Sequence, residues 1–228
     1  MCRGSPTIFE ENVSTTSREW VTYHAKHVSS TGREFKVDYS PAKMKQVAYV
    51  GLKEDEGIGE LYLKGYIEGV QSINEEIEGN VYYLSREDEP QQIEALINEV
   101  YQKGSDIIFE RAGIKQLDVM DAIKAYAQSF GLVYVINSER DLTNYGQLPS
   151  GNSIVLGSVV KSLTANLIET VTINQEELTG RQVMLGLDSE GVQLLLNPLN
   201  VNETTMQEVE DIKWRIIEGE IVPTFLTN

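Results

Sequence analysis

The stretch from Gly104 to Asn137, GSDIIFERAGIKQLDVMDAIKAYAQSFGLVYVIN, decides the fold. Asp106-Ile-Ile-Phe109 is a short apolar run of the kind that forms a strand buried on both faces. Leu117, Met120, Ile123, Ala127 and Phe130 then recur at helical spacing and trace one face of a helix, which Gly131 ends. Leu132-Val-Tyr-Val-Ile136 follows as the next strand. Two strands joined by a helix of ten or more residues run parallel, through a right-handed crossover.

The same alternation extends in both directions. Upstream stand a strand at Val47-Ala-Tyr-Val50, the acidic loop Glu54-Asp55-Glu56-Gly57, and a helix over 58–74 with Tyr62, Tyr66, Gly69, Val70 and Ile73 on one stripe. Val81-Tyr-Tyr-Leu84 is the second strand. A further helix begins at Pro90, after Asp88 and Glu89 as candidate caps, and buries Ile93, Leu96, Ile97, Val100 and Tyr101 before Gly104. Downstream, the pattern predicts a strand at Ser153-Ile-Val-Leu156 and a helix from Val160 to Val171 with Leu163, Leu167 and Ile168 on its buried side. A hairpin is expected of Val183–Leu187 and Val192–Leu196 around Asp188-Ser189-Glu190-Gly191. A last helix over 205–218 opens on the capping box Thr205-Met-Gln-Glu208 and ends at Gly219.

The expected fold is therefore α/β, an open parallel sheet with helices on both faces. Three segments follow: 1–46 with one amphipathic helix, 47–150 as the α/β ligand-binding lobe, and 151–228 as a return segment of strand, helix, hairpin and terminal helix. In the first segment, Thr16-Ser17-Arg18-Glu19 has capping-box spacing, and Trp20, Tyr23, His24 and His27 share a face.

Composition narrows the function. The 228 residues include 35 acidic and 19 basic side chains, a formal net charge of −16. Such a charge repels phosphate backbones and anionic lipid, so nucleic acid is not an expected partner. With 41% hydrophobic residues the chain is no disordered acidic tail, and no apolar run reaches the roughly 18–20 residues of a direct membrane span. The single cysteine, Cys2, permits no internal disulfide. It is either an incidental residue of a cytoplasmic protein or the lipid-attachment cysteine of a cell-surface or periplasmic lipoprotein whose leader is not in the sequence.

Candidate chemistry is sparse. Gly57-Ile-Gly59 lies between a strand and a helix, but Tyr62 stands where a dinucleotide fingerprint has its third glycine, and Glu54, Asp55, Glu56 and Glu60 oppose a phosphate. Turn glycines account for it. His24 and His27 are the only histidines, and nothing near them completes a metal site or a nucleophile–histidine set. No enzyme activity, metal or cofactor is expected. Ligands of open parallel sheets sit beyond the carboxyl ends of the strands. Glu110-Arg111-Ala112-Gly113 and Asn137-Ser138-Glu139-Arg140-Asp141 occupy two such ends and mix donors with acceptors. They suit a small neutral polyhydroxylated ligand such as a sugar or nucleoside, or else form salt bridges at loop tips.

From Val47 to Phe225 the chain resembles the basic membrane protein family, purine nucleoside receptor lipoproteins of bacterial ABC transporters. Gly104-Ser-Asp-Ile-Ile-Phe109 is similar to the family's G-A-D-V-I-F, and Ala112-Gly113 to its next loop. The strand ending in Asn137 and the loop to Asp141 stand where the family has V-I-G-V-D-S-D-Q. Ser158-Val-Val-Lys161 resembles T-S-x-V-K-R, and Ile217-Glu-Gly219-Glu-Ile-Val-Pro223 the closing I-x-x-G-E-I-x-V-P. The resemblance implies a type I periplasmic-binding-protein lobe plus a partial second lobe, and substrate binding without catalysis. It places Glu139 at a ribose-contacting acid, Lys161 at a matching lysine and Gly113 in the cleft. Arg111, Asn137 and Asp141 complete the candidate ligand-binding set. Departures are clear: Asn137-Ser138-Glu139 replaces Gly-Val-Asp, Leu142 replaces the final Gln, and the first-lobe Ser-Phe-Asn does not occur. Two full lobes need on the order of 300 residues, so a member lacking most of the first lobe is expected, with weak or absent binding. The alternative is a structural or protein-interaction module that reuses the fold with no small-molecule ligand. A homo-oligomer or a protein partner is expected under either reading, because a missing lobe exposes apolar surface around residues 150–200.

Overall fold

The computed structural model describes residues 46–55, 57–73, 75–164, 167–168 and 185–224. The expected N-terminal helix with His24 and His27 lies outside them. Among the described residues six strands, β1 (Gln46–Leu52), β2 (Glu78–Leu84), β3 (Ile107–Arg111), β4 (Tyr134–Glu139), β5 (Val155–Lys161) and β6 (Val192–Leu196), form one sheet. Among the described residues α1 (Ile58–Ile73), α2 (Pro90–Gln102), α3 (Gln116–Phe130) and α4 (Glu203–Ile217) accompany them, with a short 3-10 turn at Gly113–Lys115 and further helical residues at 163–164 and 167–168, within the helix expected after β5.

The strand order is β2-β1-β3-β4-β5-β6, parallel throughout except for antiparallel β6. The sheet is thus mixed, though mostly parallel as the strand–helix alternation implies. Side chains alternate between faces along each strand, so each interior strand feeds two cores. Ala48, Val50, Ile108 and Val135 meet the buried faces of α2 and α3 in one core. Val47, Tyr49, Ile107, Phe109, Tyr134 and Ile136 meet Tyr62, Tyr66 and Val70 of α1 and Val209 of α4 in the other. Helices therefore cover both faces.

The helix faces follow the expected stripes at Tyr62, Tyr66, Gly69 and Val70 on α1 and at Ile93, Leu96, Ile97, Val100 and Tyr101 on α2, while the expected side chain of Ile73 lies outside what is described. On α3, Met120, Ile123 and Ala127 are buried, but Leu117 and Phe130 are exposed. Val119 and Gln116 take the inward positions, because Leu117 lies about a third of a turn away from Ile123. Phe130 is the last residue of α3 and packs against Tyr126 in a tilted ring pair, with centroids 4.9 Å apart.

Three downstream expectations need correction. β5 starts at Val155 and runs to Lys161, through the residues where a helix was expected to begin. Its end lies between two partners, Val160 against both Glu139 and Gln193, and that pairing overrides local helical periodicity. Leu163, Leu167 and Ile168 are 80%, 65% and 58% exposed, not buried. β6 pairs with β5, and the described part of the expected first hairpin strand, from Leu185 to Leu187, is not strand. There the Gly186 carbonyl accepts from the amides of Gly191 and Val192 at 2.9 and 3.3 Å, closing a turn; Val183 and Met184 lie outside the described residues. Finally, α4 begins two residues before Thr205, because Asn202 caps it by accepting from the Thr205 amide at 2.8 Å.

Candidate functional site

The order of the strands sets the place. The chain lays β2 on one side of β1 and β3 on the other, and at such a reversal two strand-end loops part and leave a crevice at the carboxyl edge. The loop after β1 and the ends of β3, β4 and β5 converge there. The register aligns them: Gly51 with Arg111, Glu110 with Asn137, and Glu139 with Val160.

A chain of four charged side chains spans this edge. Arg111 Nη2 lies 3.0 Å from Asp55 Oδ2 and 3.2 Å from Glu139 Oε1, and Lys161 Nζ lies 3.7 Å from that same Glu139 oxygen. The Arg111 side chain is only 7% exposed, and its guanidinium sits 5.0 Å from the centroid of the Tyr62 ring, a cation–π contact. A buried guanidinium requires such compensation, since desolvation of an unpaired charge costs several kcal/mol. Two acids and two bases leave the cluster formally neutral inside a chain of net charge −16. Burial pushes the Lys161 amine below its ordinary value, while the Glu139 carboxylate raises it.

Glu139 has a backbone φ of 69°, a left-handed conformation that costs a non-glycine residue about 1–2 kcal/mol. The Arg140 amide donates to the Ser138 carbonyl at 2.9 Å, so Glu139 is the central residue of a γ-turn. Beneath it, Gln116 Nε2 donates to the same Ser138 carbonyl at 2.7 Å and to Glu110 Oε2 at 2.8 Å. Glu110 Oε1 accepts the Ala112 amide at 2.5 Å. Glu110 is fully buried, and burial pushes its carboxyl above the usual range despite these donors.

Four of the six sequence candidates come together here: Arg111, Glu139 and Lys161 in the ion-pair chain, and Gly113 on the adjoining loop with φ 53°. The other two stand apart. Asn137 is fully buried, with Nδ2 donating to Met120 Sδ at 3.0 Å, so it supports the edge from below. Asp141 is exposed and accepts the Thr143 amide at 2.9 Å in a local turn. Asp55, Tyr62 and Gln116 were not anticipated. Asp55 stood within an acidic run that reads as solvated, and only its placement three residues after β1 pointed to it. Gly57, with φ 85°, turns the chain after Asp55, and Gly59 O accepts the Tyr49 hydroxyl at 3.0 Å, in keeping with a structural turn. Among the described residues no cluster of acids, histidines or cysteines could hold a metal ion, and no helix is long and apolar enough to cross a membrane.

The Bmp family model, described as ABC transporter substrate-binding protein PnrA-like, matches residues 42–224. The CD4+ T-cell-stimulating antigen of Listeria innocua is 25% identical over 197 residues, covering 78% of this chain and 52% of that protein. The chain thus spans about half the length of the curated relative it matches. A solute-binding protein of an ABC transporter system from Aeropyrum pernix is similar in fold, with TM-score 0.61, 19% identity and coverage of 95% of this chain and 65% of that one. A carbohydrate transporter solute-binding protein from Agrobacterium radiobacter, solved in complex with D-arabinose, has TM-score 0.55 and 17% identity, covering 89% of this chain and 63% of that one.

Proposed function

This chain belongs to the PnrA-like ABC transporter substrate-binding family, and from that premise we propose that it contributes a wall of a cleft for a small neutral polyhydroxylated solute, with a nucleoside as the leading candidate. The observation that carries this reading is the neutral Asp55–Arg111–Glu139–Lys161 chain at the carboxyl edge of the sheet. Glu139 accepts from sugar hydroxyls, Lys161 donates to them, and Gly113 lets the ligand approach the backbone. Both cations already face carboxylates, so a phosphorylated ligand finds no uncompensated positive charge. In this reading residues 47–150 form the ligand-binding lobe and 151–228 return the chain to it. The protein binds and does not transform its ligand. A single wall buries little ligand surface, so affinity is weak unless a second wall closes over it.

Isothermal titration with inosine, guanosine and adenosine tests this, alongside Glu139→Ala and Lys161→Ala. Binding that each variant weakens at least tenfold is expected. No heat at millimolar nucleoside would overturn it.

A second reading, an interaction module with no small-molecule ligand, draws support from the exposed Leu163, Leu167 and Ile168 just after β5. It predicts association with a second copy or a protein partner. Light scattering of the purified chain that shows only monomer would count against the homo-oligomer.

A further inference from the structure

We infer that Gln116, anchored by the buried Glu110, is a positioning residue that holds Glu139 in its left-handed γ-turn and so presents the carboxylate to the cleft. The inference rests on the reading above for what Glu139 contacts, and on the structure alone for what Gln116 does.

Gln116 is the first residue of α3 and 3% exposed, so its side chain is fixed at its root by the helix. A primary amide has two N–H donors, and Gln116 spends them on Ser138 O and Glu110 Oε2. The Ser138 carbonyl is the acceptor of the γ-turn, receiving the Arg140 amide as well. One carbonyl oxygen with two lone pairs is therefore gripped from below by Gln116 and from above by the turn. Glu110 is the counterpart on the other strand: it sits beside Asn137 in the β3–β4 register and accepts from both Gln116 and Ala112. The two side chains thus tie the Ala112–Gly113 loop to the peptide preceding Glu139.

Backbone strain persists only where its surroundings over-determine it. With the Ser138 carbonyl released, rotation of Glu139 to negative φ relieves its own strain. That rotation breaks the Arg140 bond and swings the carboxylate away from Arg111 and Lys161. A buried glutamine with no such role would lower stability on removal, but would leave the turn and the ion pairs in place.

The test is Gln116→Met in the full chain, which keeps the side-chain length and removes both donors. Three quantities are read: hydrogen exchange of the Arg140 amide, the NMR titration of the Lys161 amine, and inosine affinity. The expected result is at least tenfold faster Arg140 exchange with unchanged exchange in α2, a Lys161 titration moved to lower pH by loss of Glu139, and at least tenfold weaker inosine binding. Arg140 exchange and Lys161 titration that stay as in the parent protein would overturn the inference even if the melting temperature falls. Inosine affinity equal to the parent's would overturn it as well. If the parent itself binds no nucleoside, the ligand reading fails alone, and the first two measurements still decide the role of Gln116. Should Gln116→Met fail to fold, Glu110→Gln keeps the packing and weakens the anchor. The same changes at smaller amplitude support the inference, and Arg140 exchange and Lys161 titration unchanged from the parent overturn it.

Discussion

Arg111 Nη2 stands 3.2 Å from Glu139 Oε1, joining the last residue of β3 to the last residue of β4 across the carboxyl edge of the sheet. The guanidinium is nearly buried and also serves Asp55, so removing it takes the ion-pair partner from Asp55 and leaves Glu139 with Lys161 at 3.7 Å. Arg111→Met is expected to destabilise the fold by about 1–3 kcal/mol, below the full penalty for a buried pair because both acids remain partly in water. Asp55→Asn should cost less, since Glu139 still compensates the cation. Urea unfolding of the two variants and their double variant checks this, with the combined loss smaller than the sum of the parts.

Glu110 supplies a pH dependence of defined sign. Burial raises its folded carboxyl above the unfolded value of 4.5, so between those two values the folded state holds more protons. Its contribution to stability is full below 4.5 and is lost as pH rises through the folded value. Glu110→Gln cannot lose a proton. The stability of this variant relative to the parent should therefore increase from pH 4 toward neutrality, as read by urea melts across that range.

Tyr66 offers a substitution that should not harm the fold. Its side chain is fully buried against Phe109, with centroids 5.1 Å apart, and its hydroxyl has no hydrogen-bond partner among the described residues. Tyr66→Phe retains the ring and removes a desolvated hydroxyl. Thermal melts should show a stability unchanged or raised by up to about 1 kcal/mol.

At the opposite end of β5, two buried asparagines hold the strand's entry. Asn197 Nδ2 donates to Ser153 Oγ and to the Val155 carbonyl, and Asn200 Nδ2 donates to the carbonyls of Ser153 and Val155. Asn197→Ala removes donors to buried acceptors and should cost about 2 kcal/mol. Chemical unfolding measures the loss, and hydrogen exchange in β5 and β6 should rise more than in β1.

Strands whose surroundings are uniformly apolar were legible from order alone. Val47–Val50, Asp106–Phe109 and Leu132–Ile136 carry the same continuous apolar signal as the central strands they belong to, because a strand covered on both faces has no polar side to show. The stripes on α1 and α2 were legible for the related reason that one face meets the sheet. Elements at the margin were not. Val160 and Lys161 fit a helical period as well as a strand, and only pairing chose the strand, with Val160 held on both sides and Lys161 by Val192 of β6. The candidate site divides in the same way. Arg111, Gly113, Glu139 and Lys161 stood on strand ends that the α/β alternation and the family resemblance both marked. Asp55 and Tyr62 come from a loop and helix some 50 residues earlier in the chain, and no local pattern links them to Arg111.

By itself, then, the sequence determined the class of fold, its central strands and the strand ends that carry the candidate site, since hydrophobic periodicity is a local property of the chain. Tertiary structure decided the rest: the antiparallel last strand, the neutral ion-pair chain on a buried arginine, and the left-handed turn at Glu139. Each of these depends on groups far apart in sequence brought within 4 Å, where desolvation and hydrogen bonding, not local propensity, choose the conformation.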